Sequence, residues 1–133
     1  MGWYEMNDKY NKIAGSLIGG AIGDALGYQI EFKQNIKEKE ITRFNGKGII
    51  SDDTQMTLFT ANALLWRATR GNMRGIAMPH VNAIYYGYLD WLETQDNQRV
   101  NEHSISWIKN IPELNERDFE NKFQADFGLF IIN

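Results

Sequence analysis

Apolar positions along the chain recur at helical rather than strand intervals. Met56, Phe59, Ala63 and Trp66 follow one another at steps of three and four residues, the spacing of one helix face. Ser51-Asp52-Asp53-Thr54 stands before this run, Arg67 and Arg70 close it and Gly71 follows, so a helix over about 53 to 70 is predicted. Pro79 suits a first helical position, and Val81, Ile84, Tyr85, Tyr88, Leu89 and Leu92 continue with the same period to about Glu93. Nearer the start, Gly15, Gly19, Gly23 and Gly27 recur every four residues, with Leu17, Ile18, Ile22 and Leu26 spread over the remaining surface. Each glycine inside a helix costs about 1 kcal/mol relative to alanine. A bare stripe therefore implies close approach by a second helix or by a ligand, and burial against another helix is predicted. Phe32 to Gly48 is rich in Lys and Glu without sustained period and reads as an exposed loop. Ser104 to Lys109 is predicted as a short helix, Pro112 as a further helix start near Glu113, and Phe119, Phe123, Phe127 and Phe130 fall on one helical face. No run alternates at period two, so the fold class is all-α.

The composition narrows the chemistry. With 133 residues, 43% of them hydrophobic and 13% aromatic, the chain can build one core. Its net charge of −3, with Lys and Arg scattered rather than clustered, offers no footprint for a nucleic acid. The chain has no Cys, which excludes disulfides, thiol catalysis and Cys-ligated zinc and fits a cytoplasmic protein. His80 and His103 have no second ligand at helical spacing beyond Glu102, so any metal is expected on oxygen atoms. Met1 to Asp8 is polar and has no signal-peptide pattern. Ile13 to Ile30 approaches the length of a spanning helix but carries Asp24 mid-run and five of the 12 glycines, so no membrane partner is expected. Neither a Gly-x-Gly-x-x-Gly run nor a Gly-Lys-Ser/Thr phosphate loop occurs.

Ser51-Asp52-Asp53-Thr54 supports two readings. As a helix cap, Ser and Asp accept hydrogen bonds from free N–H groups, acids suit the positive helix end, and Asp52 with Gln55 mimics a capping box. As a cation site, two adjacent carboxylates and a hydroxyl are the hard oxygen donors that Mg²⁺ and Mn²⁺ prefer. The two readings are compatible.

Gly15-Ser16-Leu17-Ile18-Gly19-Gly20-Ala21-Ile22-Gly23-Asp24-Ala25-Leu26-Gly27, with Glu31 shortly after and Ser51-Asp52-Asp53-Thr54-Gln55-Met56-Thr57 some distance on, closely resembles the start of ADP-ribosylglycohydrolases, including the dinitrogenase-reductase-activating type. The likeness continues through Trp91 to Ser106-Trp107-Ile108-Lys109-Asn110-Ile111-Pro112-Glu113-Leu114 and spans roughly residues 10 to 117. It implies an all-α fold, two Mg²⁺ or Mn²⁺ ions, and hydrolysis of the bond joining ADP-ribose to a protein side chain or other acceptor. By the same resemblance Ser51, Asp52 and Asp53 are metal ligands, Ser51 standing where the family often has Thr. Glu31 is the acidic catalytic residue near the substrate ribose, and Asp24 a buried polar residue supporting the glycine helix. At least one of the Asp52 and Asp53 carboxylates is then expected to point toward Asp24 or Glu31.

The chain departs from the family pattern after Asn115-Glu116-Arg117. Family members are usually far longer, and their other metal ligands come from an Asp-x-Asp-Thr type motif near the C-terminus. The acids after Glu113 are Glu116, Asp118, Glu120 and Asp126, none in that pattern. Residues 1–117 therefore read as the N-terminal part of the family domain, truncated, and 118–133 as a divergent tail. Two functions follow: a metal-dependent hydrolase acting on an ADP-ribosylated protein or an ADP-ribose-type small molecule, or a non-catalytic remnant or helical partner-binding module. Apolar surface left by a missing half would favour self-association.

Overall fold

The structure, a computed structural model, describes residues 3–31, 33–35, 48–96, 100–111, 114 and 130–132. Three helices carry it: α1 (Trp3–Tyr28), α2 (Asp52–Arg74) and α3 (His80–Gln95). A short strand β1 (Gly48–Ile50) leads into α2 and pairs antiparallel with β2 (Phe130–Ile132), Gly48 opposite Ile132 and Ile50 opposite Phe130. Helices make up most of the described chain, in keeping with the all-α expectation. No helix among the described residues is long and apolar enough to cross a membrane.

α2 and α3 form an antiparallel hairpin through a five-residue corner, Gly75 to Pro79. The helix runs one turn past Gly71, the predicted stop, because Gly75 takes the cap. Its φ of 74° is left-handed, and its N–H reaches the Gly71 carbonyl at 2.8 Å. Gly71 instead serves packing, since a Cβ there would lie 2.8 Å from the Ala77 Cβ. Gly87 has the same role in α3: its Cβ would lie 2.9 Å from that of Ala63 and 3.3 Å from the Phe59 carbonyl oxygen. The hairpin seam is thus built where α3 presents no side chain.

The core joins α1, β1 and the hairpin through Ala25, Ile50, Phe59 and Leu114, with Ala21, Leu58, Trp91 and Ile108 packed against them. Buried positions on α3, namely Ala83, Gly87, Asp90 and Thr94, repeat at the intervals of one helix face.

Four expectations are corrected. The α1 stripe is not buried: Gly15, Gly19, Gly23 and Gly27 are exposed, and a Cβ at any of them would meet nothing within 4 Å. Only the C-terminal part of α1 turns inward, around Ala25. Ser104 to Lys109 is not helical. Its backbone donors are taken by side chains of the hairpin: the Asp90 carboxylate accepts from Ile105 N–H at 2.8 Å and Ser106 N–H at 2.7 Å, and Asn62 from Trp107 N–H at 3.1 Å. Gly48, read as the end of a loop, opens β1. Phe130, expected on a helical face with Phe119, Phe123 and Phe127, stands instead in the strand β2; those three phenylalanines, the predicted helix start at Pro112 and most of the Phe32–Gly48 loop lie outside the described residues.

Candidate functional site

The first turn of α2 is fixed by a carboxylate from another helix. Ser51 is the N-cap, in extended conformation, and its Oγ accepts from Asp53 N–H at 3.2 Å. Capping thus falls to Ser51 rather than to an Asp52–Gln55 box. Gln55 points instead into the hairpin, where its Oε1 accepts from Trp91 Nε1 at 3.0 Å and Gln95 Nε2 at 3.1 Å. From α1, Asp24 accepts from Ser51 N–H at 2.8 Å, from Ser51 Oγ at 2.7 Å and from the Thr54 hydroxyl. Asp24 is half-buried, and it supports the start of α2 rather than its own helix. Free N–H groups and the positive end of the helix dipole suit a carboxylate there.

Beside this junction opens a cleft of about 400 Å³. α1 contributes Ser16, Leu17, Gly20, Ala21, Gly23 and Asp24, and α2 contributes Asp53, Thr54, Thr57 and Leu58. The structure therefore brings Asp53 and Asp24 to one cleft. Asp52 is half-buried and outside its lining, and Glu31 lies exposed in the turn beyond α1, also outside it. Gly20 and Gly23 leave the α1 wall bare, which is the ligand-facing alternative of the glycine pattern.

Ser51, Asp52 and Asp53 present oxygen donors of the right hardness for Mg²⁺ or Mn²⁺. Ser51 Oγ already donates to Asp24 and accepts from Asp53, which leaves it one lone pair. Among the described residues no group of three His, Cys, Asp or Glu side chains is arranged to hold a metal ion. By donor type alone, the Ser51–Asp53 turn suits a hard cation on one side, with water needed on the others.

Asp90 and Asn62 form a buried polar framework that the sequence pattern did not single out, and Gln55, read as a capping-box partner, is buried in the hairpin. Asp90 is fully buried and accepts from Asn101 Nδ2 at 2.7 Å as well as from the Ile105 and Ser106 amides. Asn62 Nδ2 donates to Ser106 Oγ at 3.0 Å, and Gln55 is 1% exposed. Their signal was position: Gln55, Phe59 and Asn62 share one face of α2, and Asp90 follows Ala83 and Gly87 on the buried face of α3. Polar groups on a core face need partners. Asp90 and Asn62 hold the 101–107 segment against the hairpin, and Gln55 ties α2 to α3. Glu93 adds to the clasp, accepting from Asn101 N–H at 3.0 Å and Lys109 Nζ at 2.8 Å. Burial raises the Glu93 pKa, but the Lys109 ion pair and the Asn101 amide outweigh it and hold the carboxyl below 4.5.

The chain belongs to the ADP-ribosylglycohydrolase family, whose model matches residues 5–125. The match extends beyond the 10–117 likeness visible in the motifs. Comparison with curated proteins and with solved structures finds no match.

Proposed function

We propose that this chain acts in the metal-assisted removal of ADP-ribose from a modified protein side chain or related acceptor, by hydrolysis of an N- or O-glycosidic bond. The observation that carries this reading, alongside family membership, is the placement of Asp53 and Asp24 on one cleft at the start of α2. Water adds to the anomeric carbon, the bond to the acceptor breaks, and the acceptor leaves with a proton. A divalent ion held by Ser51, Asp52 and Asp53 would supply a bound water of lowered pKa. Asp24 is a positioning residue: it orients Ser51 and Thr54. The bare backbone at Gly20 and Gly23 lets a sugar or base approach α1 closely. Glu31 is assigned proton exchange by the family resemblance alone, since its exposed turn lies outside the cleft lining.

One side of a cation site holds an ion weakly. Mg²⁺ demands near-octahedral oxygens, and misplacement by about 1 Å can lower a rate roughly a hundredfold. Little or no turnover by these 133 residues alone is therefore expected. A second reading, a non-catalytic helical module, is favoured by the lack of any three-ligand cluster among the described residues. The test is to incubate the chain with ADP-ribosylated arginine and serine peptides and excess Mg²⁺ or Mn²⁺, beside an Asp52→Ala, Asp53→Ala variant. Turnover lost in the variant supports the hydrolase reading and overturns the expectation of low activity. No product above an enzyme-free blank in either is the result the non-catalytic module predicts.

A further inference from the structure

The corner joining α2 to α3 has the composition of a protein interface. Met73, Ile76 and Val81 are 81%, 83% and 77% exposed, three large apolar side chains within nine residues on one bend of the chain. Arg70 and Arg74 flank them, both exposed and without an ionic partner among the described residues. From Thr54 to Leu89 the sequence contains no Asp, Glu or Lys, only three Arg, although the whole chain carries −3. Apolar groups and Met, Trp and Arg, with Lys and acids depleted, mark the centre of a protein–protein contact rather than ordinary solvated surface.

The corner is also held in place. Arg67 Nε donates to the Met78 carbonyl at 2.6 Å, and the Arg70 guanidinium lies 5.2 Å from the Trp66 ring centroid. With the Gly75 cap and the Gly71–Ala77 contact, these bonds fix the bend before any partner arrives, so little ordering remains on binding.

We propose that this corner docks an acidic, apolar-bearing protein segment, such as an amphipathic helix with carboxylates flanking a hydrophobic ridge. Charge complementarity chooses the occupant: unpaired arginines beside the apolar side chains match carboxylates, and a second cationic surface would be repelled. The 23 residues of α2 separate the corner from Asp53 by about 30 Å. A bound partner therefore leaves the cleft open, and this inference stands whether or not the chain hydrolyses ADP-ribose.

The probe is a fluorescent helical peptide of Glu and Leu, with a Lys and Leu peptide of the same pattern and vesicles of equimolar phosphatidylserine and phosphatidylcholine as further arms. The Glu/Leu peptide is expected to bind the full chain in a salt-sensitive manner. Arg70→Glu with Arg74→Glu, and separately Ile76→Asp, should each weaken binding at least about tenfold. These positions are exposed, and unchanged circular dichroism of each variant shows that folding is intact. Equal binding of the Lys/Leu peptide, unchanged binding by Ile76→Asp, or no binding by folded wild type would overturn the proposal. Binding of the vesicles alone, lost in the same variants, would reassign the corner to a lipid surface and overturn it equally.

Discussion

Asp24 gathers three donors from the first turn of α2, and no residue of that turn could replace it. Asp24→Ala leaves the Ser51 amide and the hydroxyls of Ser51 and Thr54 to find other partners in a poorly hydrated junction. Ser51 and Thr54 are only 8% and 6% exposed. The expected loss is about 2 kcal/mol in urea unfolding, with Asp24→Asn milder because one oxygen remains. Glu93 gives a pH-dependent counterpart. Its folded pKa lies below the ordinary value of 4.5, so its contribution is present above about 4.5 and is lost as pH falls through the folded pKa. Thermal melts across this acid range should show Glu93→Gln losing less stability on acidification than wild type. An identical acid dependence in both would show that the Lys109–Glu93 clasp contributes nothing.

At the scale of elements, the two helical segments with regular apolar spacing were readable to within a few residues. α2 begins one residue before the predicted start, and α3 begins one residue after Pro79. The glycines were not readable, because the sequence records their spacing and not their neighbours. The regular stripe of α1 faces open space, whereas the isolated Gly71 and Gly87 sit where a Cβ would strike Ala77 or Ala63. Gly19→Ala should therefore stabilise by up to about 1 kcal/mol through helix propensity. Gly87→Ala should destabilise by about 1–3 kcal/mol by forcing the hairpin apart. Chemical denaturation of both variants reads the two signs side by side. The non-helical 104–109 segment was illegible for a related reason. Its backbone is governed by Asp90 and Asn62, which lie 15 or more residues away in the chain and act only once the hairpin has formed.

At the scale of the whole molecule, α1 meets the start of α2 at a polar junction, and the candidate site is the cleft beside it. The capping role of Ser51 and the presence of Asp53 at the cleft were suggested by the contiguous Ser51-Asp52-Asp53 run. The role of Asp24 as the brace of α2 was not, since a separation of 27 residues carries no local signal. The position of Glu31 outside the cleft was equally beyond sequence, because a turn after Tyr28 decides it. The proposed function requires the Ser51–Asp53 turn, braced by Asp24, to bind a divalent cation as well as to cap a helix. Titration with Mn²⁺, following the free-ion electron paramagnetic resonance signal, addresses this directly. Weak, saturable binding is expected that is lost in Asp53→Ala, is reduced in Asp24→Ala, and is displaced by excess Mg²⁺. Binding that is unchanged in an Asp52→Ala, Asp53→Ala variant, or no binding by the folded chain at millimolar Mn²⁺, would contradict it and leave the acids as helix caps alone.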